Sequence, residues 1–414
     1  MKILFITARF PFPPLTGDKS IPYQRLKHLS RKHDITLLSF SDDLRDSEYS
    51  EEIRKYCTDI HVVSLRRAQA YGNLMSGMFG HTPFQVLYYR SNRFKTALNE
   101  LLRENRYDLI HAFMLRIAPY TSEYRQCPKI IELIDSMALN MRRRASLENG
   151  IRKLIFTEEA RRVSRYEAEV AERFDRAVVV SDIDAKAIGA DNIVVAPLGV
   201  DLQHFFPGSL NARDGNLIIF TGNMRYFPNE MALLYFTRDI FPLIQKRRPG
   251  AKFWVIGAAP SRAIRQLERA NRAIRVLGFV DSMCAHISLA SVSVCPMLAG
   301  SGMQFKILEA LACGVPVVAT SVAKGDIKLG EGDGLFVADQ PAVFADKVIR
   351  TMIDTKLREN IASRAPEAVQ EKYSWRRSNL AIDRIYSELL HQPYPGTGKG
   401  SCASASVRMA PVSV

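Results

Sequence analysis

The chain has 414 residues, 47% of them hydrophobic and 24% charged, with 57 lysines and arginines against 43 acidic residues and a net charge of +14. That length exceeds one typical core and suits two domains; no apolar run reaches the roughly 20 residues of a membrane span, and the opening MKILFITARF is too short for a signal peptide, so a cytoplasmic protein is expected. The positive charge calls for an anionic partner: a phosphorylated small molecule, an acidic membrane surface or nucleic acid.

Short β-branched apolar runs at 2–7, 34–40, 59–64, 108–113, 129–134 and 177–180 alternate with helical stretches. Such runs between amphipathic segments are buried parallel strands of βαβ units, so the first half reads as a doubly wound domain. Gly17, in PPLTGDK, permits close approach of a phosphate or an acceptor, with Asp18 and Lys19 beside it; an ordinary turn is the alternative. His111 stands near the end of 108–113 and Asp135 follows 129–134, and open α/β sheets place ligands at strand carboxyl ends. A satisfied core histidine and a helix-capping aspartate are the competing readings. Residues 64–95 hold five Lys and Arg, six aromatics and no acidic residue, and 141–156 is a second basic, apolar stretch. Such segments lie on anionic membranes or form solvated helix faces. Asp182 and Asp184 make a D-x-D, but between a strand and a helix they read as an N-cap and not as metal ligands.

A stretch rich in Gly, Pro and Asn marks a linker near 197–215, after which apolar runs restart at 216–221, 252–257, 274–279, 292–296, 316–320 and 335–338. A second α/β domain is expected there. Residues 373–390 carry helical spacing behind Ser374 as an N-cap, and the Gly, Ser, Ala and Pro-rich remainder reads as a disordered tail. The resulting division is 1–200, 201–372, a closing helix at 373–392 and a tail at 393–414. The six cysteines stand singly, without C-x-x-C pairs or clustered histidines, so no metal site is expected.

The densest chemistry lies in LAGSGMQFKILEALACGVPVVAT, 298–320. Gly300, Ser301 and Gly302 form a turn through which a ligand can approach the backbone, and the helix after it presents unpaired N–H groups expected from Gly302, Met303 and Gln304. A helix start of this kind holds anions. Lys306 and Glu309, three apart, share a face where a cation meets a phosphate and a carboxylate accepts sugar or ribose hydroxyls. A solvated Lys–Glu pair is the bland reading, outweighed by the glycine turn and the strand that follows.

GSGMQFKILEALACGVPVVAT resembles the donor-site signature of family-four GT-B glycosyltransferases. IFTGNMRYFPNEMALLYF (219–236) is similar to the first strand and loop of that family's C-terminal domain, VLGFVD (276–281) to its nucleobase loop, PLGVD (197–201) to its linker and YSW (373–375) to the start of its closing helix. RFPFPPLTGDKSIPYQRLKHLSRKHDITLLSF (9–40) resembles the entry of exopolysaccharide-type sugar transferases. The resemblance implies an α/β GT-B fold, two Rossmann-like domains facing across a cleft, the C-terminal helix returning to the N-terminal domain. It implies a nucleotide-diphosphate sugar held at Gly222, Asn223, Val280, Gly300, Ser301, Gly302, Met303 and Gln304, with Arg225 and Lys306 on the diphosphate and Glu309 on sugar and ribose. Ser301 stands where the common pattern has a first glutamate, Asn223 where it has arginine, and Phe113 where a histidine is frequent.

The reading is therefore a retaining, metal-independent glycosyltransferase, the N-terminal domain on the acceptor side and the C-terminal domain on the donor side. Its partners would be a nucleotide-diphosphate sugar, an acceptor glycan or glycolipid, and an anionic membrane surface; no nucleic-acid motif is present, and no cofactor is required beyond the nucleotide-sugar substrate. A GT-B-fold nucleotide-sugar epimerase and a catalytically silent sugar-nucleotide binding protein are the alternatives.

Overall fold

A computed structural model describes residues 1–41, 48–77, 80–300 and 302–391. Ser301 and the segment read as a disordered tail, 393–414, lie outside the described residues.

The apolar runs form two all-parallel sheets. The first has seven strands in the order β3-β2-β1-β4-β5-β6-β7: β1 Lys2–Thr7, β2 Asp34–Ser41, β3 Asp59–Ser64, β4 Leu109–Phe113, β5 Lys129–Ile134, β6 Arg176–Val179 and β7 Ile193–Val195. The second has six in the order β10-β9-β8-β11-β12-β13: β8 Asp214–Thr221, β9 Lys252–Ile256, β10 Ile274–Gly278, β11 Ala290–Cys295, β12 Val317–Ala319 and β13 Leu335–Val337. Both are doubly wound, and helices cover both faces of the central strands: every residue of β11 is buried. Each sheet reverses its winding beside its first strand, between β1 and β4 and between β8 and β11. Crevices open at such switch points, outside the strand carboxyl ends.

The final helix, Trp375–His391, begins where expected: the Arg377 N–H donates to Ser374 Oγ and the Ser378 N–H to the Ser374 carbonyl. It returns to the N-terminal domain and docks on the helix Gly17–Leu29. Arg25 donates to Ser378 Oγ at 3.1 Å and Asn379 Oδ1 at 2.6 Å, and His28 lies 2.9 Å from Asp383. The two chain crossings between domains are bonded to each other, the Val200 N–H donating to the Tyr373 carbonyl at 2.7 Å. A Cβ on Gly199 would fall 2.5 Å from the Trp375 backbone, so only glycine lets the crossings touch.

Two expectations are corrected. Residues 193–195, not among the expected strand runs, form β7, the edge of the first sheet. The basic, aromatic run 64–95 is not one surface: Tyr89 and Phe94 are buried in the core, while Tyr71 is 61% and Met75 68% exposed.

Candidate active site

The helix after the glycine turn, expected to hold the donor, runs Phe305–Ala312 with Gln304 as its N-cap residue in extended conformation. It starts three residues later than the sequence suggests: Gly300 and Gly302 take positive φ, 120° and 66°, and Gln304 is still extended. The N–H groups of Gly302, Met303 and Gln304 therefore belong to the loop, and Lys306 occupies the first helical turn. Loop and helix follow β11, and Gly222 and Asn223 follow β8, so both stand at the switch point of the second sheet.

Lys306 is buried. Its ammonium donates to Asn229 Oδ1, lies 3.7 Å from Met297 Sδ and sits 4.7 Å from the Phe220 ring centroid. Asn229 is fixed in turn, donating through Nδ2 to the Asn223 carbonyl at 2.8 Å. Burial pushes the Lys306 pKa below that of an ordinary lysine, with Cys295 and Glu309 opposing. A Cβ on Gly222 would meet Asn229 Nδ2 at 2.8 Å and Lys306 Nζ at 3.3 Å, so glycine there leaves the ammonium beside open backbone. Glu309, half-buried on the same helix face, has its pKa pushed up to about 7 by burial against the opposing pull of Lys306. Met303 turns into the core, and Gln304 Nε2 lies 3.7 Å from the Cβ position of Gly300. Arg225 is exposed on the β8 loop, where its backbone N–H donates to Asn223 Oδ1 at 3.0 Å. Val280 is half-buried after β10, next to an exposed Phe279.

The N-terminal domain closes over this loop. Gly17 opens its helix with Phe305 Cε2 at 3.3 Å from its Cβ position. Asp18 is held below the ordinary carboxylate range: burial pushes it up, but Arg9, 2.9 Å away, and a hydrogen bond from Thr16 outweigh burial. Lys19 turns inward toward the Phe12 carbonyl, 3.5 Å away. Asp135 abuts Gly302, whose Cβ position lies 3.0 Å from the Asp135 Cβ and 3.4 Å from Oδ2. Just before it, Ile134 takes φ 72°, a conformation a β-branched residue rarely adopts and one that concentrates at functional sites. Asp135 thus faces the donor loop and does not cap the next helix; Ser136 does, accepting the Leu139 N–H.

Sequence reasoning missed several cleft residues. Arg143 donates to the Gly300 carbonyl, and Asn140 Nδ2 donates to Tyr226 Oη at 3.1 Å, both across the cleft. Arg144 stacks between Phe156 and Phe227, 3.9 and 4.2 Å from their centroids. The D-x-D is structural, as expected, though the cap residue is Ser181; Asp184 accepts the Ser136 N–H at 3.0 Å and a hydrogen bond from the Gly302 N–H. None of these contacts has a local sequence signal, because each joins residues of different domains or elements.

His111 stands apart from the site and is corrected to a core residue. It is fully buried, with Nδ1 2.7 Å from Tyr386 Oη and Nε2 2.9 Å from Glu132 Oε1. Arg25 grips the same carboxylate at 3.0 and 3.1 Å. Burial pushes Glu132 up, yet Arg25 and His111 hold its pKa down at about 2, while burial keeps His111 below its ordinary value. The network ties the first sheet to the closing helix. Among the described residues, no group of three or more His, Cys, Asp or Glu is placed to hold a metal ion.

Residues 215–354, which carry the β8 loop, the donor loop and Lys306, match the family model described as Glycosyl transferases group 1. The second sheet thus lies in a stretch similar to the group 1 glycosyltransferase domain. Over 409 residues, 94% of this chain and 99% of the relative, it is 22% identical to an uncharacterized 44.6 kDa protein in cps region of Klebsiella pneumoniae. It is 28% identical over 222 residues to a phosphatidyl-myo-inositol mannosyltransferase of Mycolicibacterium smegmatis, covering 50% of this chain and 56% of that protein. The chain thus spans little more than half the length of that mannosyltransferase. In fold, the chain is similar to sucrose-phosphate synthase from Thermosynechococcus elongatus, with TM-score 0.71, 14% identity and coverage of 94% of this chain and 99% of that one. It is also similar to Anabaena HepE in complex with UDP and glucose, with TM-score 0.68, 16% identity and coverage of 94% and 100%. The two doubly wound sheets are those of the GT-B fold.

Proposed function

We propose that this glycosyltransferase moves a sugar from a nucleotide-diphosphate donor to an acceptor hydroxyl, with retention and without a metal ion, the acceptor being a growing polysaccharide or a lipid-linked glycan. The observation that carries the reading is the buried Lys306 ammonium, anchored by Asn229 next to the bare backbone of Gly222 at the second sheet's switch point. As the glycosidic bond to the diphosphate breaks, negative charge builds on the leaving oxygen. A fixed cation in a water-poor cleft stabilises that charge without reorganising solvent. Glu309, when ionised, accepts hydroxyl hydrogen bonds from the donor, and Asp135 offers a carboxylate from the opposite domain, where an acceptor hydroxyl would enter. HepE, with the same fold, binds UDP and glucose, which favours a uridine nucleotide as the donor to try first.

Thermal shifts across a panel of nucleotides and nucleotide sugars, followed by turnover with the best donor in excess chelator, test the reading. Stabilisation by one nucleotide family and turnover that survives chelation are expected. Activity lost to chelator and restored by magnesium or manganese would overturn the metal-independent part.

An anionic membrane belongs on the partner side of this proposal. No helix among the described residues is long and apolar enough to cross a bilayer. The helix Gly150–Glu172, however, starts with an exposed apolar and basic turn: Ile151 is 70% and Leu154 65% exposed, beside exposed Arg152 and Lys153. Such a face inserts at an acidic bilayer interface.

A further inference from the structure

A cavity of 580 Å³ opens away from the donor loop, where the chain crosses between the domains. Its walls are the end of the helix Gly17–Leu29, the crossing at Asp201 and the start of the closing helix. Seven charged or titratable side chains line it, five of them basic. The two acids are engaged: Asp383 lies 2.9 Å from His28 and 3.6 Å from Lys32, and Asp201 lies 2.9 Å from His204. Lys27, Arg31 and Arg376 pair with no carboxylate among the described residues. Trp375 and Leu380 supply an apolar wall.

We propose that this hinge cavity binds a phosphate-bearing small molecule of about sugar-phosphate size. Three uncompensated cations from two elements suit a multiply charged oxyanion, and arginine forks match phosphate oxygens. The volume falls within the range of small-molecule sites. The apolar wall receives the face of a sugar ring.

Occupancy would be felt at the donor site. The Trp375 ring lies 6.4 Å from that of Phe305, the first residue of the donor helix, and backs onto the Gly199 crossing. Binding in the cavity does not depend on the transfer reaction; an effect on donor binding rests on the function proposed above.

The chain has two tryptophans, so Trp254→Phe leaves Trp375 as the sole tryptophan, inside the site, and excitation at its red edge avoids the tyrosines. Titration of that variant with inorganic pyrophosphate should give a saturable change in emission. The change should persist when Lys306→Ala disables the donor site and weaken 10-fold or more in Arg31→Ala/Arg376→Ala, two exposed positions whose loss leaves the core intact. Calorimetric titration of the unmodified chain and the same double variant gives a second readout if Trp254→Phe fails to fold. No saturable signal up to about 10 mM, or a signal abolished by Lys306→Ala and kept in the double variant, overturns the site. An equal response to glucuronate overturns the preference for phosphate.

Discussion

Replacing Lys306 with methionine should separate catalysis from folding. Methionine keeps an unbranched, flexible chain one atom shorter and removes the charge. In folding terms two effects oppose each other: Asn229 Oδ1 loses its donor, costing about 1–3 kcal/mol, while exchanging a buried charge for an apolar chain beside Phe220 and Met297 returns about 1–4 kcal/mol. The melting temperature should stay close to that of the unmodified protein. In catalytic terms nothing offsets the loss. A charge-assisted hydrogen bond is worth about 1.5–3 kcal/mol, and one electrostatic contact to a developing anion about 2.7–4 kcal/mol, so kcat/KM should fall between about 10-fold and 1,000-fold. Steady-state release of nucleotide diphosphate from the donor found in the panel measures it, with thermal unfolding as the control. A variant that folds normally and keeps kcat/KM within about threefold would refute the reasoning, because no other buried cation stands at Gly222 among the described residues.

Glu309 should set a pH limb: with its pKa pushed up to about 7 it is mostly protonated at pH 6 and ionised at pH 8, so kcat/KM should rise across that interval and the limb should vanish in Glu309→Gln. The sign for stability is opposite, since a raised carboxyl pKa favours the fold at low pH and that contribution fades as pH climbs from about 4.5 to about 7; thermal unfolding at both ends of the window reads it. Arg25→Met should destabilise by about 3–5 kcal/mol by stranding Glu132 in the core, whereas Arg25→Met with Glu132→Gln should recover much of that loss in urea unfolding. Ile151→Glu with Leu154→Glu should lower co-sedimentation with vesicles containing phosphatidylglycerol while leaving nucleotide binding unchanged; equal sedimentation of both proteins would remove the membrane from the proposal.

The strands were legible because apolar, β-branched residues dominate them: the inner ones are buried on both faces, and even the edge strand β3, with Val62 41% exposed, keeps its β-branched run. Twelve of the thirteen runs could be read this way. The exception, β7, is an edge strand of three half-buried residues, Ile193, Val194 and Val195, followed closely by Pro197 and Gly199, so its turn-rich surroundings dominate the pattern. The start of the donor helix was placed early for a related reason. The glycine turn suggests a helix from Gly302, but Gly300 and Gly302 take positive φ and the helix begins three residues later, at Phe305, a delay that propensity cannot count.

The site divides along the same physical line. Lys306 and Glu309 could be placed together because residues three apart on one helix share a face whatever the rest of the chain does. His111 could not, because the rule that ligands lie at strand carboxyl ends concerns the last residue and the loop beyond it. His111 is two residues short of that end, in register with Phe5 in the middle of β1, where a side chain points into the layer between sheet and helix. There it contributes to holding the closing helix through Tyr386 and Glu132, and the closing helix holds the first domain against the chain crossings. The contacts that bring Asp135, Arg143 and Gly17 to the donor loop follow from that docking. The Arg–Glu–His network that helps hold the closing helix joins residues more than 100 apart along the chain at the Arg25 to Glu132 step, and 275 apart at the His111 to Tyr386 step. Chemistry within one element is thus written locally, while the pairing of two domains across a cleft is written in a buried network remote from the substrate. A variant of that network should therefore alter the cleft without touching any residue that lines it.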